Sequence, residues 1–326
     1  MEDNARALLR RVRDSATVLL TGPEGPDGDS IGACLALQRF LRAAAPEVRV
    51  DVAGVPAPRY AWLPGASAMV PDAKVGAYDG VVVLDGDRKR LCPEVARAFA
   101  GARWTGIVDH HRSTDVTGYD LAIFAPEAES TCGMVRAIGA VWGVPLDPDL
   151  ATLLYTGVIF DTGGFRYSNT RSSTHRLAAE LLETGIDHAK IMLKVLVERR
   201  PAAMRLLARM LVDAVFHADG RLAIATCTRA LLKELGATES DLEGVVDLLQ
   251  HTEGVDLAVV AVERGNEKVK LSLRSSGRVD VANLARSLHE GGGGHAKAAG
   301  VVLHQSLASV LELLEARLVP VVSSAP

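Results

Sequence analysis

This 326-residue sequence has no excess of basic charge. Its 36 Lys and Arg residues are outnumbered by 40 Asp and Glu residues, which gives a formal net charge of −4. Proteins that grip long nucleic acids through many phosphates carry a basic surface, and this composition does not supply one. Any nucleic-acid partner is therefore expected to be short, or to be held by a local basic patch.

Paired cysteines and long apolar runs are also missing. The four cysteines are scattered without CxxC spacing, at Cys34, Cys92, Cys132 and Cys227. We expect them to be buried thiols in a reducing compartment. No apolar run approaches the roughly 20 residues that cross a bilayer, and the N-terminal segment reads as a charged amphipathic helix without the apolar stretch of a signal peptide. The sequence thus predicts a cytoplasmic protein with no membrane partner.

Apolar runs that alternate with helical patterns predict the fold class. The runs 16–20, 80–84 and 106–108 are typical of strands, and the second of these is an unbroken β-branched run of the kind buried on both faces of a parallel sheet. Strands alternating with helices indicate βαβ units, hence an α/β fold with a parallel sheet flanked by helices.

The length allows two domains. A helical pattern dominates from 174 to 216, and a second set of strands, at 222–226, 257–262 and 269–273, then predicts a smaller α/β domain with a mixed sheet. In that domain Gly265 and Asn266 supply the turn between the last two strands, and we expect a frayed tail from Ser323 onward. The predicted organisation is an N-terminal domain over 1–185, a helical connector over 186–216 and a C-terminal domain over 217–326.

Acidic residues follow three of the predicted strands. Asp27 and Asp29 come after the first, Asp85 after the second, and Asp109-His110-His111 after the third. Ligands of parallel sheets bind beyond the carboxyl ends of the strands. We therefore expect the three groups to converge on one edge of the sheet.

The residue types in these groups suit hard divalent cations. Together with Asp161, at the end of the helix predicted over 148–160, the candidate ligands are Asp27, Asp29, Asp85, His110 and Asp161. Two Mn²⁺-like ions about 3.5–4 Å apart can activate a bridging water and stabilise a phosphoryl transition state. His111 could then contact the phosphate or protonate the leaving group.

Each candidate also has a purely structural interpretation. Asp27 and Asp29 fit an acidic turn in which Ser30 caps the following helix. Asp85 fits a turn, His110 a hydrogen-bonded core histidine, and Asp161 a polar helix end. The metal interpretation is preferred because five compatible residues fall at matched strand or helix ends.

The sequence resembles the DHH phosphoesterases at four motifs: PDGDSIG at 26–32, Asp85 after its strand, VDHH at 108–111 and TGVIFDTGGFRYSNT at 156–170. The stretches RLAIATCT, VKLSLRSS and GGGGHAKAAG, which begin at 221, 269 and 291, resemble the associated DHHA1 domain. Size and layout are similar to the group of nanoRNases and pAp phosphatases, which is related to RecJ-type exonucleases and cyclic-di-AMP phosphodiesterases.

The resemblance implies a role for each candidate. Asp85 would bridge two Mn²⁺ ions, with Mg²⁺ or Co²⁺ as alternatives. Asp29, His110 and Asp161 would complete the shell of the second ion, and Asp27 would serve the first. His111 would stand at the scissile phosphate, and Asp109 would orient its neighbours. In the DHHA1 domain the residues that would hold the phosphate or terminal nucleotide of the substrate are Arg274, Ser275, Gly293, Gly294 and His295.

One position departs from the family pattern. The family usually has a metal-binding His three residues before the Pro of PDGD, and here that position is Pro23. All nine histidines lie at position 110 or later, so no shift in alignment recovers it. Glu24 is the neighbouring candidate for a replacement. We expect the first ion to bind weakly, to be biased towards metals that prefer hard ligands, or to need the substrate phosphate to complete its shell.

Two further features bear on the substrate. Arg88, Lys89 and Arg90 follow the second acidic group and are either a phosphate-steering patch or a solvated charge run. Phe165 or Tyr167 could stack on a base.

The resulting hypothesis is a divalent-metal phosphoesterase that acts on short RNA or on 3′-phosphoadenosine 5′-phosphate, in a cleft between the domains. The alternatives are a cyclic-dinucleotide phosphodiesterase and a degenerate member that binds nucleotides without turnover. The sequence is compatible with a homodimer but does not decide the oligomeric state.

Overall fold

The computed structural model describes residues 1–71, 77–265 and 267–324. The chain divides into two compact units, residues 1–198 and 199–326. The predicted connector spans this division, because Ile191 and Val195 belong to the apolar core of the first unit and Leu206 and Met210 to a core of the second.

The first unit alternates helices and strands. Its helices are α1 (Glu2–Arg13), α2 (Gly28–Ala44), α3 (Pro93–Gly101), α4 (Thr131–Val141), α5 (Pro148–Asp161), α6 (Ser172–Leu182) and α7 (His188–Met192). Its strands are β1 (Thr17–Thr21), β2 (Arg49–Val52), β3 (Gly80–Leu84), β4 (Trp104–Asp109) and β5 (Leu121–Phe124). Short 3₁₀ turns lie at Pro58–Tyr60, Ala66–Ala68 and Arg88–Arg90, and a π-helical turn at Leu193–Val197. The strands form one parallel sheet in the order β2-β1-β3-β4-β5, which confirms the predicted α/β class.

Strands β1, β3 and β4 are neighbours in this sheet and run parallel. Every residue of β3 and β4 is buried, in keeping with their apolar runs. Because parallel neighbours end at the same edge, the residues that follow these three strands lie together. The order and direction of the strands thus confirm that the three acidic groups converge on one edge of the sheet.

Helices cover both faces of the sheet. Side chains of α2, α4 and α5 share a core with alternate residues of β1 and β3, and α3 covers the other face. Helices α2 and α5 approach closely: a Cβ atom on Gly32 would lie 2.6 Å from the carbonyl oxygen of Leu153. This packing brings Asp161, the last residue of α5, towards the strand ends.

The second unit contains five helices and six strands within its described residues. The helices are α8 (Pro201–Val212), α9 (Arg229–Leu235), α10 (Val245–Gln250), α11 (Val281–Leu288) and α12 (Leu307–Ser324), with a 3₁₀ turn at Glu239–Leu242. The strands are β6 (Val215–His217), β7 (Leu222–Cys227), β8 (Leu257–Glu263), β9 (Val269–Ser275), β10 (Gly293–His295) and β11 (Ala298–Leu303). They form a sheet in the order β10-β11-β9-β8-β7-β6, in which β7 and β8 are parallel and the other pairs antiparallel. The predicted mixed sheet is confirmed.

Several local expectations were wrong. The helical pattern was expected to reach Phe216, but Val215–His217 forms β6, an edge strand joined to β7 by a turn at Ala218 and Asp219. No frayed tail begins at Ser323, because α12 continues to Ser324 with Val322 buried in the core. Strands β5 and β10 and helix α3 had no counterpart in the sequence-based assignment. Asn266, in the predicted turn, lies outside the described residues, as do residues 325 and 326.

All four cysteines are free, and three of them, Cys34, Cys132 and Cys227, are buried as expected, whereas Cys92 is half-buried. Within the described ranges, no helix is both long enough and apolar enough to cross a membrane.

Candidate metal centre

The turn after β1 places two carboxylates at the start of α2. Asp27 is the N-cap residue: its Oδ1 accepts hydrogen bonds from the backbone N–H groups of Asp29 (3.0 Å) and Ser30 (3.1 Å). The interpretation in which Ser30 caps the helix is therefore wrong. Ser30 lies in the first turn of α2, where its hydroxyl donates to Oδ2 of Asp85 at 2.5 Å.

Asp29 is fully buried and is held by the N-terminus of another helix. The backbone N–H of Thr131 donates to its Oδ2 at 2.6 Å, and that of Cys132 donates to its Oδ1 at 2.9 Å. These N–H groups are in the first turn of α4, where helical partners are lacking and the helix dipole favours negative charge. Gly157 of α5 closes the pocket, because a Cβ atom there would lie 2.2 Å from Oδ1 of Asp29.

Asp85 follows β3 in a left-handed backbone conformation, with φ of 61°. A non-glycine residue adopts this region at a cost in free energy, and such strain is concentrated at functional sites. Its carboxylate is fixed by two hydroxyl donors, Ser30 at Oδ2 and Thr131 at Oδ1 (3.1 Å). Asp85 is thereby held between α2 and α4 at the centre of the sheet edge.

Asp109, the last residue of β4, is completely buried and organises the two histidines that follow it. Its Oδ1 accepts from the backbone N–H groups of His110 (2.8 Å) and His111 (3.1 Å) and lies 2.8 Å from Nδ1 of His111. Its Oδ2 accepts from the hydroxyl of Thr114. Since Nδ1 of His111 faces Asp109, Nε2 is the ring nitrogen left for a substrate.

His110 points its other nitrogen at a group of carboxylates. Its Nδ1 lies 3.2 Å from the carbonyl oxygen of Ala128, to which it donates. Its Nε2 is 2.9 Å from Oδ2 of Asp161 and 3.7 Å from Oδ1 of Asp85. The ring is not oriented to form a hydrogen bond with either, so this buried nitrogen has no hydrogen-bond partner among the described residues. An imidazole that is held at one nitrogen and directs the other at a group of carboxylates, without a hydrogen bond to them, is the arrangement of a metal ligand.

Two groups of potential ligands result. In one, single atoms of Asp29, Asp85, His110 and Asp161 all lie within 4.8 Å of one another; we call this group the ligand cluster. The other contains Asp85, Asp109, His110 and His111. Three carboxylates and one imidazole are suited to Mn²⁺, Mg²⁺ or Co²⁺. The ligand cluster can therefore hold a divalent metal ion.

The electrostatics of the cluster also favour a cation. Burial, together with the charges of Asp85 and Asp161, raises the pKa of Asp27 to about 7 and raises the pKa of Asp29 well above its usual range. Burial alone would raise the pKa of Asp85, but contacts with His110, His111 and Ser30 lower it to about 2. Burial opposes a charged His110, yet Asp161 and Asp85 raise its pKa to about 12. A raised pKa means that a group holds its proton, and a bound cation would replace the protons held by Asp29 and His110.

Asp27, Pro23 and Glu24 are members of neither group of potential ligands. Asp27 uses its Oδ1 as a helix cap and is not part of either group found among the described residues. Pro23 packs beside Gly86, where a Cβ atom on the glycine would lie 3.5 Å from the ring, and it offers no ligand atom. Glu24 is exposed and joins neither group, so the structure does not bring it to the position of the missing histidine.

In the second unit, strand pairing determines which face of the sheet each candidate residue occupies. His295 pairs with Ala298, which pairs in turn with Arg274, so His295 and Arg274 share one face of the sheet. Arg274 also donates to Oδ1 of Asp247 at 2.7 Å. Ser275, the next residue, faces the core and is 5% exposed, and its hydroxyl accepts from the N–H groups of Gly277 and Val279.

The glycines before His295 allow close backbone packing. Gly294 has φ of 143°, and a Cβ atom there would lie 2.4 Å from the carbonyl oxygen of Ala298. At Gly293 a Cβ atom would meet nothing within 4 Å, so this stretch is open on one side. Gly293, His295 and Arg274 lie on one face of the sheet, whereas Gly294 pairs with Ala299 and lies, with Ser275, on the core side.

The two candidate stacking residues differ in exposure. Phe165 has φ of 68° and lies against His175 with 4.9 Å between ring centroids. Tyr167 is 43% exposed and is the more accessible of the two.

Sequence reasoning missed the groups that hold the ligands in place. They are the hydroxyls of Ser30, Thr114 and Thr131, the N–H groups of Thr131 and Cys132, the carbonyl of Ala128, and Asn169, whose side chain donates to the carbonyl oxygen of Asp161 at 3.0 Å. Ser130 caps α4 and is a residue type from which a helix start can be predicted. Nothing in the sequence around it indicates that the N-terminus of this helix binds Asp29.

The fold and this site together define an α/β protein with a candidate divalent-metal centre at the carboxyl ends of its parallel strands. Comparison with known families is consistent with this. The DHH family, N-terminal domain, matches residues 17–158, and the DHHA1 domain matches residues 219–319.

The chain is also similar to characterised proteins along most of its length. It is 34% identical over 281 residues to the "bifunctional oligoribonuclease and PAP phosphatase NrnA" of Thermus thermophilus, which covers 85% of this chain and 81% of the relative. It is 27% identical over 301 residues to the protein of the same name from Bacillus subtilis, covering 91% and 92%. The chain therefore belongs to the DHH/DHHA1 family and is a phosphoesterase of that family related to NrnA.

A solved structure shows the same fold. The "exopolyphosphatase-related protein" from Bacteroides fragilis superposes with a TM-score of 0.89 at 24% identity, and the alignment covers 99% of this chain and 98% of that one.

Proposed function

We propose that this protein is a divalent-metal-dependent phosphoesterase that hydrolyses short oligoribonucleotides, 3′-phosphoadenosine 5′-phosphate or both. The observation that carries the proposal is the ligand cluster, in which the buried Nε2 of His110 faces the carboxylates of Asp161 and Asp85 without a hydrogen bond to either. Both activities are named for relatives that share 27–34% of their residues with this chain. The net charge of −4 further favours substrates of a few nucleotides over long polymers.

Each residue at the edge of the sheet has a distinct task in this proposal. A divalent ion in the cluster would supply Lewis-acid polarisation of the phosphoryl oxygen and an acidified water. Asp29, Asp85, His110 and Asp161 would hold the ion, and the N-terminus of α4 orients the carboxyl group of Asp29 by donating two N–H groups. Asp109 orients His111 through Nδ1, so that Nε2 can give a proton to the leaving oxygen.

We propose that Mn²⁺ occupies the ligand cluster tightly and that a second ion binds more weakly. The four-residue cluster is complete within this chain, whereas the site that Asp27 would serve has Pro23 in place of a ligand and an exposed Glu24 beside it. After dialysis against metal-free buffer, the Mn²⁺-loaded protein should retain about one ion per chain, and Pro23→His should raise this to about two. Two tightly held ions in the wild type would contradict the proposal.

The activity is tested with 5′-phosphorylated diadenylate and 3′-phosphoadenosine 5′-phosphate in Mn²⁺, Mg²⁺ and Co²⁺. Asp161→Asn removes one ligand charge and should lower kcat at least about a hundredfold, since even residues that only support ligands cost 10–100-fold. Asp149→Asn is the matched control, because Asp149 lies in the first turn of the same helix, with its side chain 57% exposed. This control should keep wild-type activity.

The outcomes separate the alternatives. Metal-dependent turnover that Asp161→Asn abolishes supports the proposal, and the better substrate assigns the activity within the family. Binding of both compounds without turnover in any of the three metals would contradict it and favour the nucleotide-binding alternative.

A further inference from the structure

A basic turn directly follows the central ligand of the cluster. The 3₁₀ turn Arg88–Arg90 begins three residues after Asp85 and is fixed at both ends. Asp87 caps it by accepting from the N–H of Lys89 at 2.8 Å, and the N–H of Arg88 donates to the hydroxyl of Tyr119, also at 2.8 Å. The backbone of this segment is therefore fixed by hydrogen bonds, unlike that of a flexible run of charges in solvent.

The same turn is tied to the loop that carries Asp27. The N–H of Glu24 donates to the carbonyl oxygen of Arg90 at 2.7 Å. Glu24 and Asp27 are three residues apart, so their Cα atoms are separated by at most roughly 10 Å. The backbone of Arg90 thus lies beside the loop that leads to Asp27, beyond the carboxyl ends of β1 and β3.

Most of the cations in this part of the unit already have partners. The guanidinium of Arg88 lies over the ring of Tyr119, 5.8 Å from its centroid. Lys89 pairs with Asp115 at 3.4 Å. Glu127 pairs with both Arg112 and Arg171, and Nε of Arg166 donates to the carbonyl oxygen of Gly163 at 2.7 Å.

Arg90 is different. Its side chain is exposed and makes no hydrogen bond or ion pair with the parts of the chain that the structure describes. An arginine without a carboxylate partner, at an edge rich in carboxylates, offers a planar set of donors that matches a phosphate. A second phosphate on the substrate would otherwise be repelled by these carboxylates, which the ion bound at the scissile phosphate only partly neutralises.

We propose that Arg90 binds a second, non-scissile phosphate of the substrate and so favours substrates that carry two phosphate groups. This inference rests on the proposed phosphoesterase function. Both 5′-phosphorylated dinucleotides and 3′-phosphoadenosine 5′-phosphate belong to this class. An unphosphorylated dinucleotide, whose only phosphate is the scissile one, does not.

The test compares Arg90→Gln with Arg42→Gln on 5′-phosphorylated and unphosphorylated diadenylate. Arg42 is an exposed residue in the last turn of α2, and it lies about 20 Å along the helix from Asp29. Arg90→Gln should raise KM for the phosphorylated substrate about tenfold, the effect of losing one charged hydrogen bond, and leave both kcat and the KM for the unphosphorylated substrate unchanged. Arg42→Gln should change none of these values.

An equal rise in KM for both substrates, or no change for either, would overturn the inference. Absence of turnover in the wild type would instead contradict the proposed function. In that case the same two variants are compared by equilibrium binding of the two diadenylates in Mn²⁺. The inference then predicts a tenfold weaker affinity of Arg90→Gln for the phosphorylated ligand alone.

Discussion

In the first unit the candidate residues stand at the ends of parallel strands, whereas in the second unit they stand along antiparallel strands. At a strand end several residues can turn towards one point, and Asp29, Asp85 and His110 do so together with Asp161 from the end of α5. Along a strand, successive residues face opposite sides, and Arg274 and Ser275 are separated in this way. Two neighbouring residues of a motif can therefore face the same site when they follow the end of a strand, but they face opposite sides when they lie within one.

The largest effect is expected from crowding the cluster of the first unit. In Gly157→Ala the new Cβ would lie 2.2 Å from Oδ1 of Asp29 and 2.3 Å from Sγ of Cys132, so the carboxylate must move. We expect activity to fall about a hundredfold, the cost of a misplacement near 1 Å, and stability to fall by about 1–3 kcal/mol. Turnover, Mn²⁺ affinity and thermal unfolding are the measurements.

Gly106→Ala in β4 is the matched control for this substitution. Its Cβ would make ordinary contacts of 3.5 Å with Trp104 and Val82. A Gly157→Ala variant as active as Gly106→Ala would show that the position of Asp29 does not matter.

The contrast between the two sides of β9 is tested with one substitution on each side, because we expect one to change KM and the other to change stability. Arg274→Gln should raise KM about tenfold with little change in the melting temperature, because Arg274 lies on the same face as His295. Ser275→Ala should lower stability by about 1–3 kcal/mol with little change in KM, because two N–H groups lose their acceptor. Steady-state kinetics and thermal unfolding of both variants measure the two effects. A Ser275→Ala variant with an altered KM and unchanged stability would place Ser275 in the binding surface after all.

A smaller effect, on the stability of the metal-free protein, is expected at Asp27. Its folded-state pKa of about 7 is above the usual value of 3.8, so the metal-free folded state binds more protons than the unfolded state between these limits. Stability of the wild type should therefore fall as pH rises from about 4 to 7. Asn retains the helix cap without the charge, so metal-free Asp27→Asn should be more stable than the wild type at pH 8 by at least about 1 kcal/mol.

At pH 5 this difference should shrink. Denaturant unfolding in chelator at the two pH values measures it. An Asp27→Asn variant less stable than the wild type at pH 8 would contradict the account of crowded negative charge.

The strand-end motifs were readable from the sequence because apolar runs predict the parallel strands and each run ends in an acidic or histidine group. The supporting groups were not readable, because the contact between Asp29 and the N-terminus of α4 joins residues about 100 positions apart. Ser275 was assigned with Arg274 from their adjacency in a motif, and only the burial alternation of β9 separates them. β6 was missed because its three residues continue a helical apolar pattern, while the hairpin with β7 depends on tertiary pairing.

The central claim is that one divalent ion is held by Asp29, Asp85, His110 and Asp161. It is tested most directly by anomalous diffraction from crystals grown with Mn²⁺, using data collected above and below the manganese edge. The account predicts a strong anomalous peak about 2.0–2.3 Å from one atom of each of these four residues, and no such peak in His110→Ala crystals. An empty cluster at saturating Mn²⁺, with or without a strong peak elsewhere, would contradict it.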